Sequence, residues 1–146
     1  MSERFEHTFK TGWGLMDFNG HMANRAYLDL AADVRMLFFA ANGFPMKEFA
    51  RLRIGPVVRR DELDYFREIH LLDDVRVDVA IAALSPDGAR FRIRNEFFRA
   101  DGVKAARVTS AGGWLDLSAR KLTVPPDALR AALEALPHTE DFEALL

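Results

Sequence analysis

Residues 24–41, which read NRAYLDLAADVRMLFFAA, form the stretch from which the fold is best predicted. Its apolar residues recur at steps of three and four, as one face of an α-helix requires: Tyr27, Leu30, Ala31, Val34, Leu37, Phe38 and Ala41. Asn24 is the predicted N-cap, because its side chain can accept a hydrogen bond from an unpaired backbone N–H. Gly43 is the predicted stop. The broad apolar stripe indicates a buried helix of about five turns.

The sequence on both sides of this helix has the patterns of β-strands and tight turns. One strand is predicted over residues 5–16, and a short helical turn is predicted around residues 47–52. Four more strands are marked by Leu63, Tyr65 and Ile69, by Val75 to Ile81, by Phe91 to Phe97, and by Val103 to Leu117. Pro-Asp-Gly at residues 86–88 and Asp-Gly at residues 101–102 predict hairpins, and hairpins make the sheet antiparallel.

Two smaller features complete the predicted architecture. Gly112-Gly113, within the last strand, predicts a bulge or a close backbone approach, and Pro125-Pro126 predicts the start of a final helix. A single apolar helix early in such a chain is hidden from water only if the sheet curls over it. The predicted fold is therefore α+β, with an antiparallel sheet of about five strands wrapped around one long buried helix.

The composition excludes several classes of function. Lys and Arg number 20 and Asp and Glu number 22, and this net charge of −2 argues against general nucleic-acid binding. The absence of cysteine excludes disulfides, thiolate metal sites and cysteine nucleophiles. The longest apolar runs have six residues, too few for a membrane span, and the chain begins without a basic-then-apolar leader. We therefore expect one cytoplasmic domain over residues 1–146.

The segment from Asp17 to Tyr27, DFNGHMANRAY, concentrates the residues that can carry chemistry. Asp17 lies on a glycine-containing turn just before the helix, whose first N–H groups have no intrahelical partner. Such groups can stabilise an oxyanion, and a carboxylate beside them can act as a general base or as a nucleophile on a carbonyl. The alternative is structural, with Asp17 capping a turn and Asn24 capping the helix.

The same segment resembles the motif D-x-x-G-H-x-x-N-x-x-Y of hotdog-fold acyl-CoA thioesterases, and most of all the 4-hydroxybenzoyl-CoA thioesterase family. The similarity continues through residues 55–65, residues 72–75 and the final helix. It implies a hotdog fold and hydrolysis of an acyl-CoA thioester, with coenzyme A as part of the substrate and no separate cofactor. It also implies a homodimer with the active site at the subunit interface, and a tetramer is compatible with it.

The resemblance also assigns roles at matching positions. Asp17 corresponds to the family's catalytic carboxylate, which attacks the thioester carbonyl or activates water. Asn24 lies at the helix start, whose backbone N–H polarises the thioester oxygen. Gly20 allows close approach of the substrate, and Tyr27 either contacts the acyl group or packs in the core. Leu15 is a departure, because many members have a second acid there, so no proton relay through this position is expected.

Three further candidates have two interpretations each. His21 is either an acid–base partner of Asp17 or a hydrogen-bonding residue that orders the loop. Arg59 and Arg90 either hold the phosphates of coenzyme A or lie on a solvated sheet face. Metal binding is not expected, because His7, His70 and His138 show no ligand-like spacing, and Glu62, Asp64 and Glu68 are expected to be surface acids.

The acyl group is not specified by the sequence. Met36, Phe38, Phe39 and Phe44 would suit either an acyl pocket or a core. Two other functions compete with hydrolysis. One is a hotdog hydratase or dehydratase, although its Asp-to-His separation is normally one residue longer and includes proline where Gly20 stands. The other is a non-catalytic module that binds acyl-CoA or an acyl lipid.

Overall fold

The structure is a computed structural model that describes residues 4–146, so the first three residues of the predicted domain lie outside the described part. The described residues form seven strands and three helices. The strands are β1 Phe5–Lys10, β2 Ile54–Tyr65, β3 Asp74–Leu84, β4 Arg90–Arg99, β5 Lys104–Asp116, β6 Lys121–Thr123 and β7 His138–Ala144. The helices are α1 Asn24–Ala41, α2 Met46–Leu52 and α3 Asp127–Glu134.

The sheet confirms the predicted antiparallel architecture and corrects its size. Five strands were expected, and five follow the order β1-β3-β4-β5-β2, but two short strands bring the total to seven among the described residues. Strand β6 pairs with the end of β5. Strand β7 runs parallel to β3 along Ile81–Leu84, beyond the part of β3 that β1 covers.

Helix α1 is confirmed from Asn24 to Ala41, and it packs against the sheet as the centre of the core. Its buried residues are Ala26, Tyr27, Leu30, Ala31, Val34, Phe38 and Phe39. Leu37 and Ala41, which the periodicity placed on this face, are exposed. The predicted N-cap is also wrong: Ala23 occupies that position, Asn24 is the first helical residue, and no side chain caps the helix.

The predicted hairpin strands alternate in the sheet as expected. Phe91, Ile93 and Phe97 of β4 are buried against the core, while the arginines between them face the other side of the sheet. The first predicted strand is shorter than expected, because β1 ends at Lys10 and residues 13–15 form a 3₁₀ turn. Within residues 4–146, no helix has the length and apolar character that a membrane crossing needs.

Strand β2 forms one edge of the sheet and contains an irregularity. It pairs with β5 alone among the described strands, and its register shifts between Val58 and Arg60, which leaves Arg59 as the extra residue of a bulge. Gly112 lies opposite, and a Cβ there would collide with the backbone carbonyl of Val57. This confirms the close backbone approach predicted for the glycine pair.

Candidate functional site

The Asp17 carboxylate is held by its own turn. Its Oδ1 accepts hydrogen bonds from the backbone N–H of Asn19 at 2.9 Å and of His21 at 3.1 Å. The N–H of Asp17 donates to the His21 carbonyl at 2.8 Å, and Gly20 closes the turn with a φ of 79°, a conformation that favours glycine. Oδ2 has no protein hydrogen-bond partner among residues 4–146. One carboxylate oxygen is therefore available to a ligand or to water.

The backbone between this turn and α1 is fixed by tertiary hydrogen bonds. The N–H of Met22 donates to the Ile69 carbonyl at 2.7 Å, and the N–H of Ala23 donates to the Leu15 carbonyl at 2.8 Å. In the described part of the chain, the N–H groups of Asn24 and Arg25 donate to no backbone carbonyl. The positive end of the α1 dipole thus lies directly after the Asp17 turn and offers N–H donors to an oxyanion.

Tyr27 is a buried neighbour of this site. Its side chain is 4% exposed, and its ring packs edge-on against Tyr65 with centroids 5.1 Å apart. Burial raises the pKa of Tyr27 to about 12, with smaller contributions from the negative charges of Tyr65, Asp17 and Glu68. The hydroxyl is therefore neutral at physiological pH, and the packing role is the one that the structure displays.

His21 lies in a cluster of titratable side chains that the sequence did not predict. Its Nε2 is 3.2 Å from Glu68 Oε2, and His70 Nε2 is 3.6 Å from the same oxygen. The two imidazole rings meet edge-on at 5.2 Å. A β-bridge between His21 and His70 creates this proximity. The two residues are 49 positions apart, and no pattern in the sequence predicts that they meet. Glu68, which was expected to be a surface acid and is exposed, is the shared partner of the two histidines.

The two arginine candidates lie elsewhere. Arg59 and Arg90 line one groove of about 400 Å³, together with Arg92 and Leu122. Because Phe91 of the same strand faces the core, the side chains of Arg90 and Arg92 lie on the opposite face of the sheet from α1. The structure therefore brings Asp17, Gly20, His21, Asn24 and Tyr27 into one site and Arg59 and Arg90 into another.

An apolar cavity of about 480 Å³ opens between α1, α2 and the start of β2. Its walls include Arg35, Met36, Phe39, Met46, Phe49 and Ile54. Of the four residues that suited either a pocket or a core, Met36 and Phe39 line this cavity. Phe38 and Phe44 do not line it; both are buried in the core, with 5% and 6% of their surface exposed.

Arg35 connects the cavity to a buried polar network. Its Nε donates to Asn95 Oδ1 at 2.8 Å, and its Nη2 donates to Ser110 Oγ at 2.7 Å. The Ser110 hydroxyl donates in turn to the carboxylate of Asp61 on β2. Burial lowers the pKa of Arg35 to about 10, and the charge of Asp61 opposes this shift. Arg35 nevertheless stays protonated at neutral pH.

Known proteins share this fold and this arrangement of elements. The family model of the Thioesterase-like superfamily matches residues 11–133. The protein SAV2348 of Staphylococcus aureus, whose structure is a complex with CoA, superposes with a TM-score of 0.84 at 21% identity, over 92% of this chain and 84% of its own. No curated protein sequence matches this chain.

Two named thioesterases have similar structures. The 1,4-dihydroxy-2-naphthoyl-CoA thioesterase Slr0204 of Synechocystis has a TM-score of 0.79 at 16% identity and covers 90% of this chain and 96% of its own. The gentisyl-coenzyme A thioesterase BH1999 has a TM-score of 0.78 at 19% identity and covers 88% of this chain and 98% of its own. The fold is accordingly the hotdog fold that the motif predicted.

Proposed function

Because the chain belongs to the Thioesterase-like superfamily, we propose that it hydrolyses an acyl-CoA thioester to a free acid and coenzyme A. The observation that carries this proposal is the Asp17 carboxylate. Its Oδ1 is used by the turn, while its Oδ2 has no partner in the described residues, and the turn directly precedes the start of α1 at Asn24. The similar structures of Slr0204 and BH1999, both named as acyl-CoA thioesterases, support it.

The proposed reaction has two routes to the same products. In one, Asp17 takes a proton from a water molecule, which attacks the thioester carbonyl. In the other, the Asp17 carboxylate attacks the carbonyl itself, coenzyme A leaves as a thiolate, and water then hydrolyses the mixed anhydride. In both routes, the N–H groups of Asn24 and Arg25 stabilise the oxyanion at the helix start. Each route consumes one water molecule, whose oxygen ends on the acid and whose proton ends on the sulfur of coenzyme A.

The exposed edge of the sheet supports a homodimer. Strand β2 has 12 residues, and pairing with a second copy would satisfy the backbone groups of this edge. The region around Asp17 also exposes aromatic surface, because Trp13 and Phe18 are 79% and 99% exposed. Exposed apolar surface of this kind marks a contact with a partner or a ligand.

The two ends of β2 suggest how such a dimer would complete the site. Tyr65, at one end, packs on Tyr27 and so lies beside the Asp17 loop, whereas Ile54, at the other end, lines the apolar cavity. An antiparallel two-fold pairing of β2 with its copy would bring opposite ends together. The carboxylate of one protomer would then face the cavity of its partner, which is large enough for an acyl group.

The phosphates of coenzyme A would bind in the groove between Arg59 and Arg90. Both guanidinium groups belong to exposed residues, and neither forms an ion pair within the described residues, whereas Arg92 in the same groove pairs with Glu143 at 3.1 Å. Arginine forks match phosphate oxygens. These two positions are therefore the ones we assign to the nucleotide end of the substrate.

Release of free thiol from a panel of acyl-CoA thioesters tests the proposal. The panel spans short, medium, branched and aromatic acyl groups and compares wild type with Asp17→Asn, which keeps an oxygen for the turn. We expect turnover to fall by about a hundredfold or more. The matched control Asp33→Asn, on the exposed face of α1, should stay within about twofold of wild type.

Three outcomes would redirect the assignment. Full activity in Asp17→Asn would remove this carboxylate from the chemistry. Binding of acyl-CoA with no turnover of any panel member would favour the non-catalytic module. Reversible addition of water to an enoyl thioester, without thiol release, would favour the hydratase.

A further inference from the structure

We propose that His21, Glu68 and His70 form a binding site for a divalent transition-metal ion of the zinc type. Each residue offers one ligand atom, and the three atoms lie within 4.8 Å of one another. Two imidazole nitrogens and one carboxylate oxygen are a ligand set that suits Zn²⁺ and related ions, with a further position open to water.

The distances fit tetrahedral coordination. Zinc binds nitrogen and oxygen at about 2.0–2.1 Å, so two ligand atoms of a tetrahedral site lie roughly 3.3 Å apart. Glu68 Oε2 is 3.2 Å from His21 Nε2 and 3.6 Å from His70 Nε2. Both pairs are therefore already close to the required spacing. Small side-chain rotations would bring the two imidazole nitrogens to the same separation.

The backbone positions of both histidines are fixed before any ion binds. They face each other in the β-bridge, next to the hydrogen bond from Met22 N–H to the Ile69 carbonyl. The hydroxyl of the buried Thr11 donates to the His70 carbonyl at 2.6 Å. Such restraints reduce the entropy lost on metal binding, since only the side chains have to be ordered.

Asp73 stands where a partner of a metal-bound histidine is expected. Its Oδ2 accepts the backbone N–H of His70 at 2.8 Å and lies 3.8 Å from His70 Nδ1. This is the ring nitrogen that does not face Glu68. At 3.8 Å these two atoms form no hydrogen bond, but the negative charge on that side favours a proton on Nδ1, which presents the lone pair of Nε2 to the ion.

The bound ion would join two loops. One carries His21, whose backbone N–H holds the Asp17 carboxylate, and the other carries Glu68 and His70 just before β3. The ion would therefore stabilise the folded chain and the geometry of the Asp17 turn. It takes no part in the hydrolytic steps proposed above.

Direct metal binding tests the inference with the full chain after tag removal and dialysis against chelator. Calorimetry with Zn²⁺ should give one site per chain. Bound Co²⁺ should give the visible absorption bands of a tetrahedral, four-coordinate site. Glu68→Gln and His70→Gln should each weaken binding by at least about a hundredfold, and Asp73→Asn by about tenfold. His7→Gln and His138→Gln are matched controls and should bind as wild type does.

Two results would overturn the site: no saturable binding by wild type, or binding that survives both ligand substitutions. Circular dichroism in the absence of metal shows whether each variant is folded, and the exposure of Glu68 and His70 makes folding of these variants the expected result. Asp17→Asn should bind Zn²⁺ like wild type. The metal-binding test therefore remains valid even if the protein proves not to hydrolyse acyl-CoA thioesters.

Discussion

Two clusters of polar side chains lie along helix α1. One lies on loops near the surface, and the other is buried between the helix and the sheet. At the N-terminal end, Asp17, His21 and Glu68 lie on loops and are half-buried or exposed. Near the middle of the helix, Arg35 joins Asn95 and Ser110 of the central strands, and both of these partners are fully buried.

The difference lies in how many hydrogen-bonding positions remain open. In the inner cluster every buried side-chain polar atom has a partner, as is true of all the residues that the structure describes. In the loop cluster one oxygen of Asp17 is unpaired, and the imidazole nitrogens face a carboxylate and solvent. The inner cluster therefore fixes the packing, whereas the loop cluster can bind and react. Substitutions in the inner cluster should therefore lower mainly the stability of the fold, and substitutions of the reactive side chains in the loop cluster should lower mainly activity.

The largest effect on stability is expected from Arg35→Met. The substitution leaves Asn95 Oδ1 and the Ser110–Asp61 pair without their donor, and a buried unpaired polar group costs about 1–3 kcal/mol. We expect the free energy of unfolding in urea to fall by about 2–4 kcal/mol. Arg25→Met is the control on the same helix, because exposed Arg25 makes a single hydrogen bond, to the Gly14 carbonyl. Its loss should stay below about 1 kcal/mol, and equal losses would contradict the distinction between the clusters.

A smaller effect is expected from Gly20→Ala in the turn of Asp17. A Cβ at this position meets no atom within 4 Å, so the cost comes from the φ of 79° alone, about 1 kcal/mol. Gly12→Ala is the control, because it also adds a Cβ in open space but at a φ of −86°. Urea unfolding should separate the two variants by about 1 kcal/mol. If they are equally stable, the turn is not held in this conformation.

The loop cluster also shows which parts of the structure the sequence could predict. The bounds of α1 follow from a 3.6-residue periodicity, which is a local property of the chain. The cap at Asn24 was predicted wrongly because tertiary hydrogen bonds at Met22 and Ala23 set the helix start instead of a side chain. Asp17 could be predicted as a candidate because its turn and the helix are neighbours in sequence.

The missed features all depend on pairing between distant segments. Glu68 and His70 reach His21 only through the bridge between two loops, and no spacing in the sequence encodes it. Strand β6 has three residues, and β7 is polar and largely exposed, so neither shows the apolar alternation of the inner strands. The network of Arg35 likewise depends on the register of β4 and β5 beneath the helix.

The smallest effect concerns the buried carboxylate next to the inner cluster. The backbone carbonyl of Asp78 accepts a hydrogen bond from Asn95 Nδ2 at 2.8 Å. Burial raises the pKa of the Asp78 carboxyl above its ordinary value of 3.8, although the N–H of Glu96 opposes the shift. The folded state therefore holds this proton more tightly than the unfolded chain does. Ionised Asp78 destabilises the fold at neutral pH, and this penalty disappears as the pH falls through the raised pKa.

Asp78→Asn should therefore gain stability relative to wild type as the pH rises from about 4 to 7, by up to about 1 kcal/mol in urea unfolding. In wild type, Asp78 Oδ1 accepts a hydrogen bond from the Glu96 N–H at 2.8 Å, and the side-chain amide oxygen of the variant can still accept it. Asp141→Asn is the opposite control, because hydrogen bonds from Arg94 and then Thr139 hold the pKa of Asp141 well below its usual range. The stability that this carboxylate contributes is present above its unfolded pKa and is lost in acid, so Asp141→Asn should lose stability relative to wild type as the pH rises. If the stability of both variants relative to wild type changed in the same direction as the pH rises, burial would not be the cause of the raised pKa of Asp78.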